Sequence, residues 1–170
     1  MQNMRSALRN LARSPGFKIV AIITLVLGIG LSASLHAQEI DNVRDVLAAN
    51  ATLTEAANRL DTDTFFAGIV DSDETRIIQD GVLFKTRAEA MRAVRAGSLG
   101  VAKVERRFDD PHVTVLAPDA ALLTANGTTE VTLDDGRSFA VQFAVSLVFV
   151  LRDGEWKLFH GHYSIPNPQP

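Results

Sequence analysis

The sequence predicts an α+β domain behind a hydrophobic N-terminal segment, and three observations predict it. A basic, then apolar, then small-residue order fills the first 37 residues. Helical periodicity dominates the stretch that follows, and from residue 101 onward the chain alternates with a period of two. With 170 residues, 46% of them hydrophobic and 22% charged, the chain suits one ordinary domain with an appendage.

Taken in order, the leader comes first. Arg5, Arg9, Arg13 and Lys18 precede Ile19–Leu31, a run without charge, and SASLHAQ follows. This is the order of a secretory signal, with cleavage after Ser34 or Ala37 as the alternatives. Read through Leu35 as a helix, the segment is about 25 Å long, the short limit for a membrane span, so a retained anchor is the other reading. Positive charge ahead of the segment would leave the body outside the cytoplasm. Residues 1–37 are thus expected to be a signal peptide or anchor of a protein that is periplasmic or held on the inner membrane. Residues 38–166 form the domain and 167–170 a loose tail.

In the domain, Ile40, Val43, Val46, Leu47, Leu53, Ala57 and Leu60 mark one face of a long helix over 39–60. Asp61 and Thr62 can cap a short second helix containing Phe65, Phe66 and Ile69. RIIQ and VLFK flank Asp80-Gly81, a hairpin signal. Thr86 to Glu89 form a capping box whose helix runs to Gly97. Four strands follow: 101–116, bent at Asp109-Asp110-Pro111, then 120–133, 138–151 and 155–165. The third of these is apolar on both faces. One face should meet the helices, and the other a second subunit, through Phe143, Val145 and Phe149.

All 20 acidic side chains lie beyond residue 37, so the body is net negative and lacks the basic stripe of a nucleic-acid binder. The absence of cysteine excludes disulfides, thiolate nucleophiles and zinc-thiolate sites. No Gly-rich phosphate loop or metal-binding His/Glu helix is present, so no cofactor and no metal is expected.

Two stretches resemble known families. LRNLARSPGFKIVAIITLVLGIGLSASL resembles the opening of ABC-transporter permeases of the macrolide-exporter type, and nothing downstream continues that likeness. The element order α-α-β-β-α-β-β-β-β, ending in WKLFHGHYSIP, resembles the nuclear-transport-factor-2-like superfamily in its SnoaL-like branch. The matching positions in that ending are Trp156, His160, His162, Ser164 and Pro166, similar to the last strand of the association domain of calcium/calmodulin-dependent kinases. The resemblance implies a cone-shaped curved antiparallel sheet wrapped around helices. It also implies either a pocket for a small organic molecule or a non-catalytic oligomerisation module. An exporter's accessory subunit is the reading that the leader alone suggests.

Within the cone, strand alternation puts Trp156, Leu158, His160, His162 and Ser164 on one face. The two histidines are either satisfied side chains of a half-buried sheet or a proton acceptor and its partner. His162 with Asp63, near the start of the second helix, is the catalytic pair expected if the protein is an enzyme, with Asp63 otherwise a first-turn acid favoured by the helix dipole. His160, Trp156, Arg107 and Gln142 are the expected ligand contacts. Arg106 and Arg107 point to opposite sides of their strand, so one of them can enter the cone and hold a carboxylate. The sole tyrosine, Tyr163, lies opposite the histidines, which argues against an isomerase that needs a tyrosine oxyanion site.

Overall fold

The computed structural model describes residues 15–166, with side chains from His36 onward. The side chains of the leader, and the tail at 167–170, lie outside the described residues. Among the described residues no helix is long and apolar enough to cross a membrane. The chain divides into two units, Met1–Ile40 and Asp41–Pro170, and the second holds the domain.

Helix α1 (Pro15–Asn58) extends further toward the N-terminus than its apolar stripe predicts. Within the domain it buries Val46, Leu53 and Ala56. Asn42 and Asn50 continue that stripe at helical spacing, and Asn42 Nδ2 donates to the carbonyl of Pro118 at 3.2 Å. Helix α2 (Thr62–Ala67) is capped by Asp61, whose carboxylate accepts from the Thr64 amide. Hydrogen bonding from the Thr64 hydroxyl, and then from its amide, holds the Asp61 carboxyl below its ordinary pKa, because it favours the charged form.

Strands β1 (Arg76–Gln79) and β2 (Val82–Phe84) form the hairpin, with Asp80 and Gly81 both at positive φ as its turn requires. Helix α3 (Arg87–Gly97) opens on the expected cap: the Glu89 amide donates to Thr86 Oγ1, and the Glu89 carboxylate accepts from the Lys85 amide. Strands β3 (Val101–Ala117), β4 (Ala120–Leu133), β5 (Ser138–Arg152) and β6 (Glu155–Ser164) complete a six-stranded curved sheet. Its order is β2-β1-β6-β5-β4-β3.

The sheet differs from the expected one in a single pairing. β1 runs parallel to β6, with Arg76 opposite His160 and Gln79 opposite Tyr163, so the sheet is mixed. The chain between them, β2, α3 and strands β3 to β5, supplies the long connection that parallel neighbours need. The bend in β3 is where the sequence puts it: register shifts between Asp109 and His112, and Asp110 adopts positive φ.

Strand β5 corrects a second expectation. Phe143, Val145, Leu147 and Phe149 are buried in the chain's own core, together with Phe66, Ile69, Leu123 and Leu158. The face expected to meet a second subunit is therefore the face that meets the helices. Ala140, Gln142, Ala144 and Ser146 occupy the outer face and are exposed.

Candidate functional site

The helices and the concave side of the sheet enclose a cavity of about 630 Å³. That is the size of an ordinary small-molecule site. Phe65, Phe66 and Ile69 line it from α2 and the turn after it, and Ala90, Ala93 and Val94 from α3. From the sheet come Ile77, Phe84, Val101, Val104, Val131 and Leu158. Val82, Leu99 and Phe139 line its mouth and are 54%, 81% and 50% exposed, an apolar rim open to solvent.

Few polar groups reach this space. Arg106 on β3, Thr129 on β4 and Tyr163 on β6 project into it, and Asp61, Thr62, Gln79, Asp80 and Ser98 stand at the ends of elements around it. The Arg106 backbone is held from below by Asn58, whose Oδ1 accepts from the Arg106 amide at 2.7 Å while its Nδ2 donates to the Arg106 carbonyl at 3.2 Å. The Arg106 side chain then reaches across the cavity. Its Nε donates to Thr129 Oγ1 at 3.3 Å, and its guanidinium carbon lies 5.6 Å from the Phe143 ring centre and 5.5 Å from that of Tyr163. These are cation–π distances.

None of the residues expected at the site lines the cavity. Asp63 is exposed on α2 and forms an ion pair with Arg95 of α3. His162 is exposed on the outer face of β6, on the far side of the sheet from α2, so the pair His162–Asp63 does not exist. His160 lies on that same outer face, and Gln142 is exposed on the outer face of β5. Trp156 packs against the core without reaching the cavity. Arg107 points outward and pairs with Glu130 at 2.8 Å. Tyr163, set aside for standing opposite the histidines, is the side chain that enters.

The cause is one extra residue in β6. Opposite β5, Phe149 pairs with Leu158 and Val148 with His160, so Phe159 has no partner. Such a bulge exchanges the faces beyond it. Leu158 points inward as strand alternation predicts, but Gly161 and Tyr163 then share its side, and the histidines turn out. The turn after α2 holds the bulge. Leu158 donates to the Gly68 carbonyl and accepts from the Val70 amide, both at 2.9 Å, before β1 takes up the pairing at His160. The histidines end in a polar row across the outer face, with His112, Thr124, Ser146 and His162 in register on four strands. Among the described residues no cluster of histidine and carboxylate side chains is placed to hold a metal.

Arg106 is the residue the sequence offered and the reading passed over. Val104, Arg106 and Phe108 share one face of β3, while Glu105, Arg107 and Asp109 share the other. That alternation marks Arg106 as the inward member of the pair.

Burial raises the pKa of Tyr163 above the ordinary 10.0, and the Arg106 charge offsets part of that rise. The phenol is therefore a neutral donor at physiological pH. As Tyr163 is the sole tyrosine, the near-ultraviolet absorbance of phenolate reads it directly. Its midpoint should lie above 10.0 in the folded chain and rise further in Arg106→Gln, which removes the offsetting charge. Because the unfolded phenol ionises first, the contribution to stability is constant below pH 10 and lost as pH climbs through the folded value. An unshifted titration would place the phenol in open solvent.

Fold and cavity together define an α+β domain in which helices cover the concave face of a curved mixed sheet, around an apolar space with a few inward polar groups. The chain belongs to the SnoaL-like domain family, whose pattern matches residues 46–168. No curated protein is similar enough to count as a relative. Among solved structures, a proposed dehydratase of the nuclear-transport-factor-2-like family from Streptomyces avermitilis is 23% identical, with a TM-score of 0.67 over 75% of this chain and 98% of that one. A proposed scytalone dehydratase from Novosphingobium aromaticivorans reaches 0.71 at 8% identity, over 78% and 89% of the two chains. A protein from Xanthomonas campestris, described as a proposed calcium/calmodulin-dependent protein kinase II association domain, reaches 0.60 at 18% identity, over 75% and 88%. At these identities the likeness is one of fold.

Proposed function

We propose that the cone binds one small, largely apolar organic molecule. The observation that carries this reading is the cavity itself: about 630 Å³, walled by aliphatic and aromatic side chains, with an exposed apolar rim. A core with no ligand to hold would close such a space, since packing contacts are lost around every void. Two of the similar structures are described as proposed dehydratases. In this chain the cavity walls present a phenol as an acid, with no histidine and no buried carboxylate among them to take up a proton. The reading is therefore one of binding.

The basic-apolar-small order of residues 1–37 supports the further proposal that the domain works outside the cytoplasm, exported or anchored. A second copy would pair through the outer face of the sheet, where Thr124, Ala144 and Ser146 form a small-residue, uncharged surface.

Binding is tested with N-phenyl-1-naphthylamine, a neutral fluorophore that brightens in apolar surroundings. The full chain should show saturable enhancement. Val104→Trp, which sends an indole into the cavity, should remove it while leaving the circular dichroism spectrum unchanged. Enhancement that does not saturate, or that survives Val104→Trp, would overturn the reading.

A further inference from the structure

We propose that the molecule the cone takes is an apolar carboxylic acid, held by its carboxylate between Arg106 and Tyr163. This rests on the small-molecule reading above and names the chemistry of the head group. Most arginines of the domain are already committed to carboxylates: Arg87 pairs with Asp71, Arg95 with Asp63, Arg107 with Glu130 and Arg137 with Asp135. Arg106 has no such partner among the described residues, though it stands inside an apolar cavity where an uncompensated charge is costly. Asp61 and Asp80, the carboxylates on the cavity wall, are outside ion-pair range of it.

The guanidinium is also set in place rather than loose. Two hydrogen bonds with Asn58 fix its backbone, one accepted and one donated by the amide side chain, Thr129 Oγ1 accepts from its Nε, and the Phe143 and Tyr163 ring centres lie 5.6 and 5.5 Å from its guanidinium carbon. This leaves both terminal nitrogens unspent, a planar fork whose geometry matches the two oxygens of a carboxylate. The phenol of Tyr163, neutral for the reason given above, makes no hydrogen bond among the described residues and offers a third donor in the same cavity, its ring centre 5.5 Å from the guanidinium carbon.

Beyond the pair most of the wall is apolar, and Asp61, Thr62, Gln79, Asp80 and Ser98 stand at the ends of elements around it. Phe66, Ile69 and Leu158 are almost fully buried at one end, and Val82, Leu99 and Phe139 are exposed at the other. One anionic group on an apolar body is the ligand such a site selects.

The experiment compares 2-naphthoate with 2-naphthamide, which have the same shape and differ in charge, by calorimetry on the full chain. Detergent is omitted because its alkyl tail would compete for the cone. The acid should bind about 10- to 100-fold more tightly than the amide, the range of a charge-assisted pair of bonds. Arg106→Gln should abolish that preference, so that acid and amide bind this variant equally. Arg106→Lys, which keeps the charge but loses the fork, should retain part of it.

Equal binding of acid and amide to the unmodified chain would overturn the carboxylate assignment and leave the apolar pocket standing. That comparison needs no variant to fold. Failure of both ligands, together with failure of the neutral fluorophore, would remove the pocket reading itself. An acid preference that persists in Arg106→Gln would place the anion elsewhere and overturn the role of Arg106.

Discussion

Replacing Phe149 by alanine is expected to cost about 3–5 kcal/mol of folding stability, and to cost the same at every protein concentration. Phe149 is 0% exposed and sits among Leu123, Leu147 and Leu158 in the core shared by the sheet and the helices. Removing its ring leaves a void that these neighbours cannot close, since β5 is fixed between β4 and β6 along most of its length. Urea unfolding of the full chain at two protein concentrations is the measurement. If Phe149 instead faced a second subunit, the loss would shrink as the protein was concentrated, because association restores stability by mass action. A concentration-dependent loss would therefore reverse the assignment of the inner and outer faces of the sheet.

Gly127→Ala is expected to be nearly as damaging, by about 3 kcal/mol, for the opposite reason. Gly127 lies on β4 between Phe108 of β3 and Phe143 of β5, and these two rings meet edge to face across it at 5.4 Å. A methyl group there would collide with the backbone carbonyl of Arg107 and with the tip of the Phe143 ring. The carbonyl cannot give way without breaking the β3–β4 ladder. Phe143 cannot move without disturbing Arg106, which stacks on it. Gly161→Ala is the control. It is also a buried strand glycine, but the added methyl would meet only Ile77, Tyr163 and Leu147 side-chain atoms, the nearest at 3.4 Å. That substitution should cost less than about 1 kcal/mol. Equal effects of the two, read as shifts in melting temperature, would mean that the rings do not pack over Gly127 as described.

The order of elements can be read from the residues because each one is signalled locally. Asp80-Gly81 supplies the positive φ of its hairpin, Thr86 and Glu89 cap α3, and Asp109 to Pro111 bend β3. Pairing partners are a different matter. The parallel contact of β1 with β6 joins segments some eighty residues apart, and nothing in RIIQ says which neighbour it takes. The site failed on a still smaller point. Between Leu158 and His160 the alternation continues unbroken in the letters WKLFHGHY, and only the bonds from Gly68 and Val70 to Leu158 force Phe159 out of the ladder. One unpaired residue exchanged Tyr163 for His162 as the side chain that faces the cone. Arg106 did not need the structure in the same way, because the residues two positions to either side, Val104 and Phe108, announce its face.

The clamp that Asn58 places on β3 also bears on how this chain avoids sticking to itself. β3 is an edge strand of seventeen residues, and a free edge of that length is a template on which another extended chain can grow. At Arg106 both outward backbone groups are already taken by the Asn58 amide, so an incoming strand would find the ladder closed near its middle. Further along, Pro111 offers no N–H, and the kink at Asp110 turns the backbone out of line. Lys103, Glu105, Arg107 and Asp109 add charges that a second copy of the same edge would have to desolvate. The opposite border, β2, is only three residues long. The residue that steadies the cone's arginine is thus also a guard against fibril growth, and its loss would be felt in shelf life as much as in ligand affinity.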